Sequence, residues 1–412
     1  MNQALPTVPP VPDMDRWLTT AEGLDAWLAT HHGQPLALDT EFERVSTFFP
    51  IPGLVQLGAA GSLKLVDPSV AQQSERFRAT LADAERTKLL YAMGEDLELF
   101  RHWLDLEPRG LLDLQLGSAL AGAGFSVGYA RLVESLFGEA LDKSATRSDW
   151  LARPLTPEQE RYALDDIRFL EPLYHWVTDR LDHRGLSDAL AEESDRFAAD
   201  LLAQSEPTDA YLKLRGGWQL SPEKQQVLRT LVLWREQECR RRDRPRNRVL
   251  ADAALIAIAD RLPDSPGALA AVKDVPPVVV RRFGEPLLAL IEQARESGDV
   301  PAVLIDRPLT RPQQDLYRKV KKRMVRAADK ADVPVELLAP RKRLEALLRV
   351  QPVPVEDLGL FDTGWRQTVL ADERADIVTL LGQQDMHDGQ DLCFRVSQQR
   401  ERRHLPVCQA GA

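Results

Sequence analysis

Cysteine is nearly absent from this chain: Cys239, Cys393 and Cys408 are the three in 412 residues, far apart and without a Cys-x-x-Cys pair. That spacing argues against a disulfide or zinc framework and suits a reducing compartment, so a cytoplasmic location is expected. Long apolar runs are missing too. No stretch of about 18 apolar residues occurs, and the opening "MNQALPTVPPVPDMDRW" has neither a basic start nor a continuous apolar core, so neither a membrane span nor a secretory signal is expected. Nor is there an excess of positive charge. The net charge is -10, which taken as a whole opposes binding to a phosphate backbone.

What is present is an ordinary apolar fraction of 44%, enough for a buried core, on a chain long enough for roughly two to four domains. The charge is also unevenly spread. "CRRRDRPRNRVL" (Cys239 to Leu250) and "RPQQDLYRKVKKRMVR" (Arg311 to Arg326) are strongly basic, whereas "EGLD", "GEDLEL" and "LAEESD" carry acid, so a basic second half sits inside an acidic protein.

After a proline-rich N-terminus expected to be flexible (residues 1–14), short apolar runs alternate with helical patterns. "PLALDTEF", "GLVQLGAAG", "LKLVDP" and "KLLYAMG" predict strands, the first three close enough to pair as a meander. "SERFRATLADAE", "EDLELFRHWL", "LQLGSALAGAG" and "GYARLVESLFG" predict helices, as does one long stretch, "TPEQERYALDDIRFLEPLYHWVTDRLDHRG". Thr156 three residues before Gln159, with Pro157 at the first helical position, marks where that last helix starts. This is the pattern of an α/β (α+β) domain with a mixed sheet over residues 15–205. Strand signals then stop, and two helical groups follow, 206–300 and 301–385, before a polar tail at 386–412.

"LALDTEF" ends an apolar run on Asp39 and Glu41, two residues apart and hence on one strand face. Two adjacent anions repel unless a cation lies between them, although an edge strand ending in a turn explains the pattern equally well. Asp96 follows a later strand at a helix N-terminus, where capping alone accounts for it. Tyr162 and Asp166 stand one helical turn apart. Together these elements offer four carboxylates and a phenol, a donor set suited to hard divalent cations acting on a phosphodiester.

"LALDTEF…TFFPIPGLVQLG", "YAMGEDLELF", "LLDLQLGSALAG…GYARLVESLFG" and "LDKSATRSDWLARPLTPEQERYALDDIRFLEPLY" resemble the exonuclease domain of the ribonuclease D family, within the DEDD superfamily and its ribonuclease H-like fold. The resemblance implies Asp39, Glu41, Asp96 and Asp166 as ligands of two Mg²⁺ or Mn²⁺ ions. Tyr162, four residues before Asp166, implies the tyrosine branch and a role at the attacking water, with Asp165 an adjacent decoy. It further implies 3′ to 5′ release of nucleoside 5′-monophosphates from RNA with a free 3′ end, in particular tRNA precursors and small stable RNAs.

Phe48 and Phe49 resemble aromatic residues expected near the terminal base, though aromatics at such places are more often core. Lys143 and Arg147 are candidates for the scissile phosphate, or anchors of their loop together with Trp150. Tyr91 receives no catalytic part, and His31, His32 and His102 have no partner pattern. "LRTLVLWREQECRRRDRPRNRVLADAALIAIADRLP" resembles the all-α HRDC domain, with a divergent second copy expected over 301–385. Arg241, Arg242, Arg244 and Arg246, with Arg240 and Arg248, cluster at its bend and are candidate phosphate contacts, unless they form a solvated loop paired with acids. No obligate protein partner is implied, and a monomer is expected. A DNA exonuclease and a catalytically silent RNA-binding scaffold are the competing readings.

Overall fold

The computed structural model describes residues 5–12, 14–142, 144–350 and 358–382; Lys143 and the tail from 386, with Cys393 and Cys408, lie outside them. The chain divides into two compact units, Met1–Pro308 and Leu309–Ala412.

The first unit opens on a six-stranded mixed sheet in the order β1-β4-β3-β2-β5-β6. Its strands are β1 (Trp17–Leu18), β2 (Leu36–Glu43), β3 (Ile51–Ala59), β4 (Ser62–Val66), β5 (Lys88–Leu90) and β6 (Leu111–Asp113). β2, β3 and β4 form the expected antiparallel meander, while β5 and β6 run parallel to β2. β1 and β6, of two and three residues, are too short to carry an alternation that sequence could reveal.

Helices α1 (Ala21–Thr30), α2 (Pro68–Gln73), α3 (Glu75–Ala82) and α4 (Gly94–Leu104) share one core with the sheet. Leu24 and Leu28 of α1, Phe77 of α3 and Phe100 of α4 pack there against Leu36 and Leu38 of β2. Even-numbered residues of β2 therefore face these helices, and Ala37, Asp39 and Glu41 face the other way. α5 (Leu114–Ser118) runs into a π-helical turn at Ala119–Ala123, and α6 (Tyr129–Phe137) follows.

α7 (Pro157–Arg168) covers the second face. An Ile167 methyl lies beside Gly58, which pairs with Ala37. α7 begins at the predicted capping box, Thr156 with Gln159, and Pro157 at its start. The single long helix predicted after it is instead two, α7 and α8 (Leu170–His183), separated at Phe169. Pro172 favours the break: it lacks an N–H and its ring crowds the carbonyl four residues earlier, that of Arg168, which is the last residue of α7. α9 (Ala189–Ser205), not evident from the sequence, lays Phe197 and Leu201 on the first core.

From Pro207 the first unit is helical: α10 (Pro222–Arg242), α11 (Arg246–Val249), α12 (Asp252–Arg261), α13 (Pro266–Ala270) and α14 (Pro277–Glu296). Leu228 and Leu231 of α10, Leu255 and Ile258 of α12, and Leu287 and Ile291 of α14 build a second core, and Phe48 from the sheet-bearing part enters it. The second unit is also helical, with α15 (Arg311–Ala331), α16 (Val335–Leu338), α17 (Arg341–Arg349), α18 (Gly364–Leu370) and α19 (Arg374–Gly382). Its buried residues on α15, Leu316, Val320 and Met324, recur at helical spacing and leave the basic residues outside. A mixed-sheet domain followed by helical regions is the architecture expected from the sequence. Among the described residues no helix is long and apolar enough to cross a membrane.

Candidate active site

The acids converge because three elements end at one place. β2 carries Asp39 and Glu41 on the face covered by α7, and α7 presents Asp166 to them. One carboxylate oxygen from each of Asp39, Glu41 and Asp166 lies within 4.8 Å of the others. On the neighbouring side β5 stops at Leu90, shortly past its last pairing with β2 at Ala37 and Leu89, so the chain turns into α4 close to Asp39. Asp113 fixes that turn, its carboxylate accepting from Ala92 N at 3.0 Å and Met93 N at 3.1 Å. Asp96, in the first turn of α4, is buried here, but it is not part of the three-acid group: Thr40 Oγ1 donates to its Oδ1 at 2.5 Å. Thr40 faces the helices, as the strand period demands, and its hydroxyl is committed to an acid.

Burial dominates the electrostatics. Loss of solvent, and then the charges of Asp96, Asp166 and Glu41, raise the Asp39 pKa well above the ordinary carboxylate value. Glu41 is pushed up to about 9 by burial first and then by Asp166 and Asp96. Asp96 and Asp166 are raised for the same leading reason, with hydrogen bonds from Thr40 and Tyr162 respectively pulling back. Asp96 is buried and Asp39, Glu41 and Asp166 are partly so, and four carboxylates that resist ionisation together form an incomplete electrostatic arrangement, one that divalent cations complete. The donor set, all hard oxygen, fits such ions.

Tyr162 lies beside Asp166, and burial followed by the Asp166 charge pushes its phenol above the usual tyrosine range. Its hydroxyl is 3.4 Å from Thr146 Oγ1, and its ring centroid is 5.8 Å from that of Trp150. Trp150 is buried and its backbone passes so close to Gly53 that a Cβ there would sit 2.8 Å from the Trp150 Cβ, which only glycine avoids. The loop before α7 is thereby anchored, and Arg147 stands exposed on it. Asp165 takes a different path from Asp166, pairing with Arg161 and Arg168 at 3.0 Å each.

Other candidates are placed elsewhere. Phe48 is buried within the helical core, with the guanidinium groups of Arg240 and Arg246 each 4.9 Å from its ring centre. Arg246 is bidentate to Glu236 at 2.7 Å, an acid it shares with Arg240, and Arg241 and Arg242 share the single carboxylate of Glu238, so these acids offset only part of the positive charge. Arg244 is exposed and its guanidinium is 3.4 Å from Ser46 O.

Sequence reasoning missed four contributors. Gln56, opposite Asp39 on β3 and fully buried, points Nε2 at Asp39 Oδ2 at 3.4 Å. Tyr129 donates to Asp165 O at 2.9 Å and feels the charges of Asp166 and Asp39. Thr40 and Asp113 complete the set. The strand alternation could have pointed to Gln56, a lone amide in an apolar run, but not to the others.

Known proteins resemble this chain in sequence and in fold. A family model described as 3′-5′ exonuclease matches residues 16–182, and one for the HRDC domain matches residues 224–291. The ribonuclease D of Pseudomonas paraeruginosa is 38% identical over 337 residues, covering 81% of this chain and 89% of that protein. That of Escherichia coli is 31% identical over 341 residues, covering 82% and 91%. The crystal structure of the Escherichia coli protein, described as an exoribonuclease involved in structured RNA processing, superposes with a TM-score of 0.79 at 30% identity, covering 88% of this chain and 98% of that one. The chain belongs to the ribonuclease D family of exoribonucleases.

Proposed function

We propose that this protein trims the 3′ ends of tRNA precursors and other small structured RNAs, releasing nucleoside 5′-monophosphates by a two-metal-ion mechanism. The observation that carries the proposal is the meeting of Asp39, Glu41 and Asp166 within 4.8 Å, with Asp96 and Tyr162 alongside. In this reading Asp39, Glu41, Asp96 and Asp166 hold Mg²⁺ or Mn²⁺. When bound, such ions lower the pKa of water and stabilise the charge that develops on the departing 3′ oxygen. Tyr162 orients the attacking water through its hydroxyl, since a phenol with an ordinary pKa of about 10 is neutral at neutral pH. Arg147 on the loop beside Tyr162, Lys143 in the same segment, and Arg241, Arg242, Arg244 and Arg246 at the helical bend are the candidate phosphate contacts, with Arg244 not paired to either Glu236 or Glu238. Residues 15–205 form the nuclease, 206–300 the HRDC domain and 301–385 a divergent second copy that helps hold structured RNA.

The test is incubation with matched 3′-labelled RNA and DNA, with Mg²⁺ and with chelator. Mononucleotide release from RNA that needs Mg²⁺ and disappears in Asp39→Asn is the expected result. RNA left intact, or Asp39→Asn digesting at the parent rate, refutes the proposal; faster digestion of DNA replaces RNA by DNA as substrate.

A further inference from the structure

The loop between β2 and β3 leaves the acid-bearing strand three residues after Glu41 and is held from an unexpected direction. Asp243, which ends α10, accepts hydrogen bonds at one carboxylate oxygen from Phe48 N at 2.8 Å and Phe49 N at 2.9 Å. Its partners lie 195 and 194 residues away in the chain. The same loop is fastened to α4, the helix that carries Asp96. Arg44 is bidentate to Glu98 at 2.6 and 2.7 Å, and its Nε donates to Phe48 O at 3.1 Å. Phe49 stacks face to face on His102, with ring centres 3.6 Å apart and planes 3° from parallel. One short segment thus touches the strand bearing Asp39 and Glu41, the helix bearing Asp96, and the end of α10.

We propose that Asp243 is a positioning residue for the carboxylate site. By holding the Phe48 and Phe49 amides it fixes the β2–β3 loop, and through the loop's contacts with Glu98 and His102 it sets the end of β2 and the body of α4 relative to one another. The proposal rests on the reading of these acids as metal ligands. It gives the end of α10 a part in catalysis distinct from any contact with RNA. A ligand set held by oriented neighbours binds metal better than a slack one, and loss of such support costs about 10–100-fold in affinity.

Asp243 also occupies the left-handed region, φ 49° and ψ 55°, at the C-terminus of α10. This separates the two roles the residue can have. Glycine adopts that conformation most easily but has no acceptor; asparagine adopts it well and keeps the Oδ1 acceptor; alanine has neither advantage. A residue needed only to end the helix tolerates glycine, whereas a residue needed to hold the loop does not.

The experiment compares full-length parent, D243G, D243A and D243N for Mn²⁺ binding, with free Mn²⁺ counted by electron paramagnetic resonance, and for the Mn²⁺ dependence of hydrolysis of a short labelled RNA. Thermal melting of each variant confirms that it is folded. The expected result is Mn²⁺ affinity weakened about tenfold in D243G and D243A alike, activity in both restored by excess Mn²⁺, and D243N close to the parent. D243G binding Mn²⁺ as the parent does, or D243N as weakly as D243A, overturns the proposal. If the parent releases no nucleotide from RNA while the Mn²⁺ order holds, the exoribonuclease reading falls and the positioning role stands.

Discussion

Thr40 Oγ1 donates to Asp96 Oδ1 at 2.5 Å across 56 residues of sequence. The bond ties the middle of the Asp-Thr-Glu triplet to the helix that supplies the next acid, so the triplet contributes with all three side chains. Thr40→Val keeps the shape and removes the donor, leaving a buried acceptor unsatisfied. Mg²⁺ affinity should fall by about 10–100-fold, and Thr40→Ser should restore most of it. Calorimetric titration with Mg²⁺ measures both, and a valine variant that binds as the parent does removes Thr40 from the site.

Metal-free protein should lose stability as pH rises. Glu41 titrates near 9 in the fold, and Asp39, Asp96 and Asp166 are also raised, whereas an unfolded carboxylate titrates near 4. Between those limits the folded state holds more protons at these four acids than the unfolded one, so their contribution to stability is full below about pH 4 and is lost through about pH 9. Melting temperatures in chelator should fall across this window and be flattened by Mg²⁺. A metal-free melting temperature that climbs from pH 5 to 9 contradicts the electrostatic picture.

Asp165 and Asp166 should separate cleanly. Asp166→Asn removes a member of the three-acid group and should abolish Mg²⁺-dependent hydrolysis. Asp165→Asn breaks pairs with Arg161 and Arg168 and should lower stability by roughly 1–3 kcal/mol while leaving hydrolysis in place. Side-by-side turnover and urea unfolding decide it; the reverse pattern would mean the register along α7 is misassigned.

Tyr162→Phe should cut turnover by about 10²-fold, the cost of losing one oriented hydroxyl at a reacting centre. Mn²⁺ binding should be little changed, because the phenol is not among the acids that meet. Equal losses in binding and turnover would instead make Tyr162 a support for Asp166.

The acid pattern was legible because it depends on local geometry: two residues along a strand for Asp39 and Glu41, four along a helix for Tyr162 and Asp166. The capping box at Thr156 was legible for the same reason. What escaped depends on partners distant in sequence. Thr40 finds Asp96, Gln56 finds Asp39, and Asp243 finds Phe48, none of which a spacing rule reaches. The break at Phe169 was available in principle, since Pro172 disfavours a continuous helix, but a proline does not always end one, as Pro286 inside α14 shows, and the apolar period runs through the stop. The paired acids at Glu236 and Glu238 likewise show why a run of arginines is an ambiguous sign: whether it faces phosphate depends on what the helix places one turn away.

Phe48 grows from the nuclease sheet and is buried in the core that α10, α12 and α14 build. Neither part is then complete alone: a chain cut after Ser205 exposes Phe48 to water, and the helical part keeps a hole where the ring belongs. Filling such a gap is worth about 3–5 kcal/mol for a phenylalanine, so residues up to Pro308 should melt in one transition, and removal of the helical part would change the nuclease itself as well as its hold on substrate.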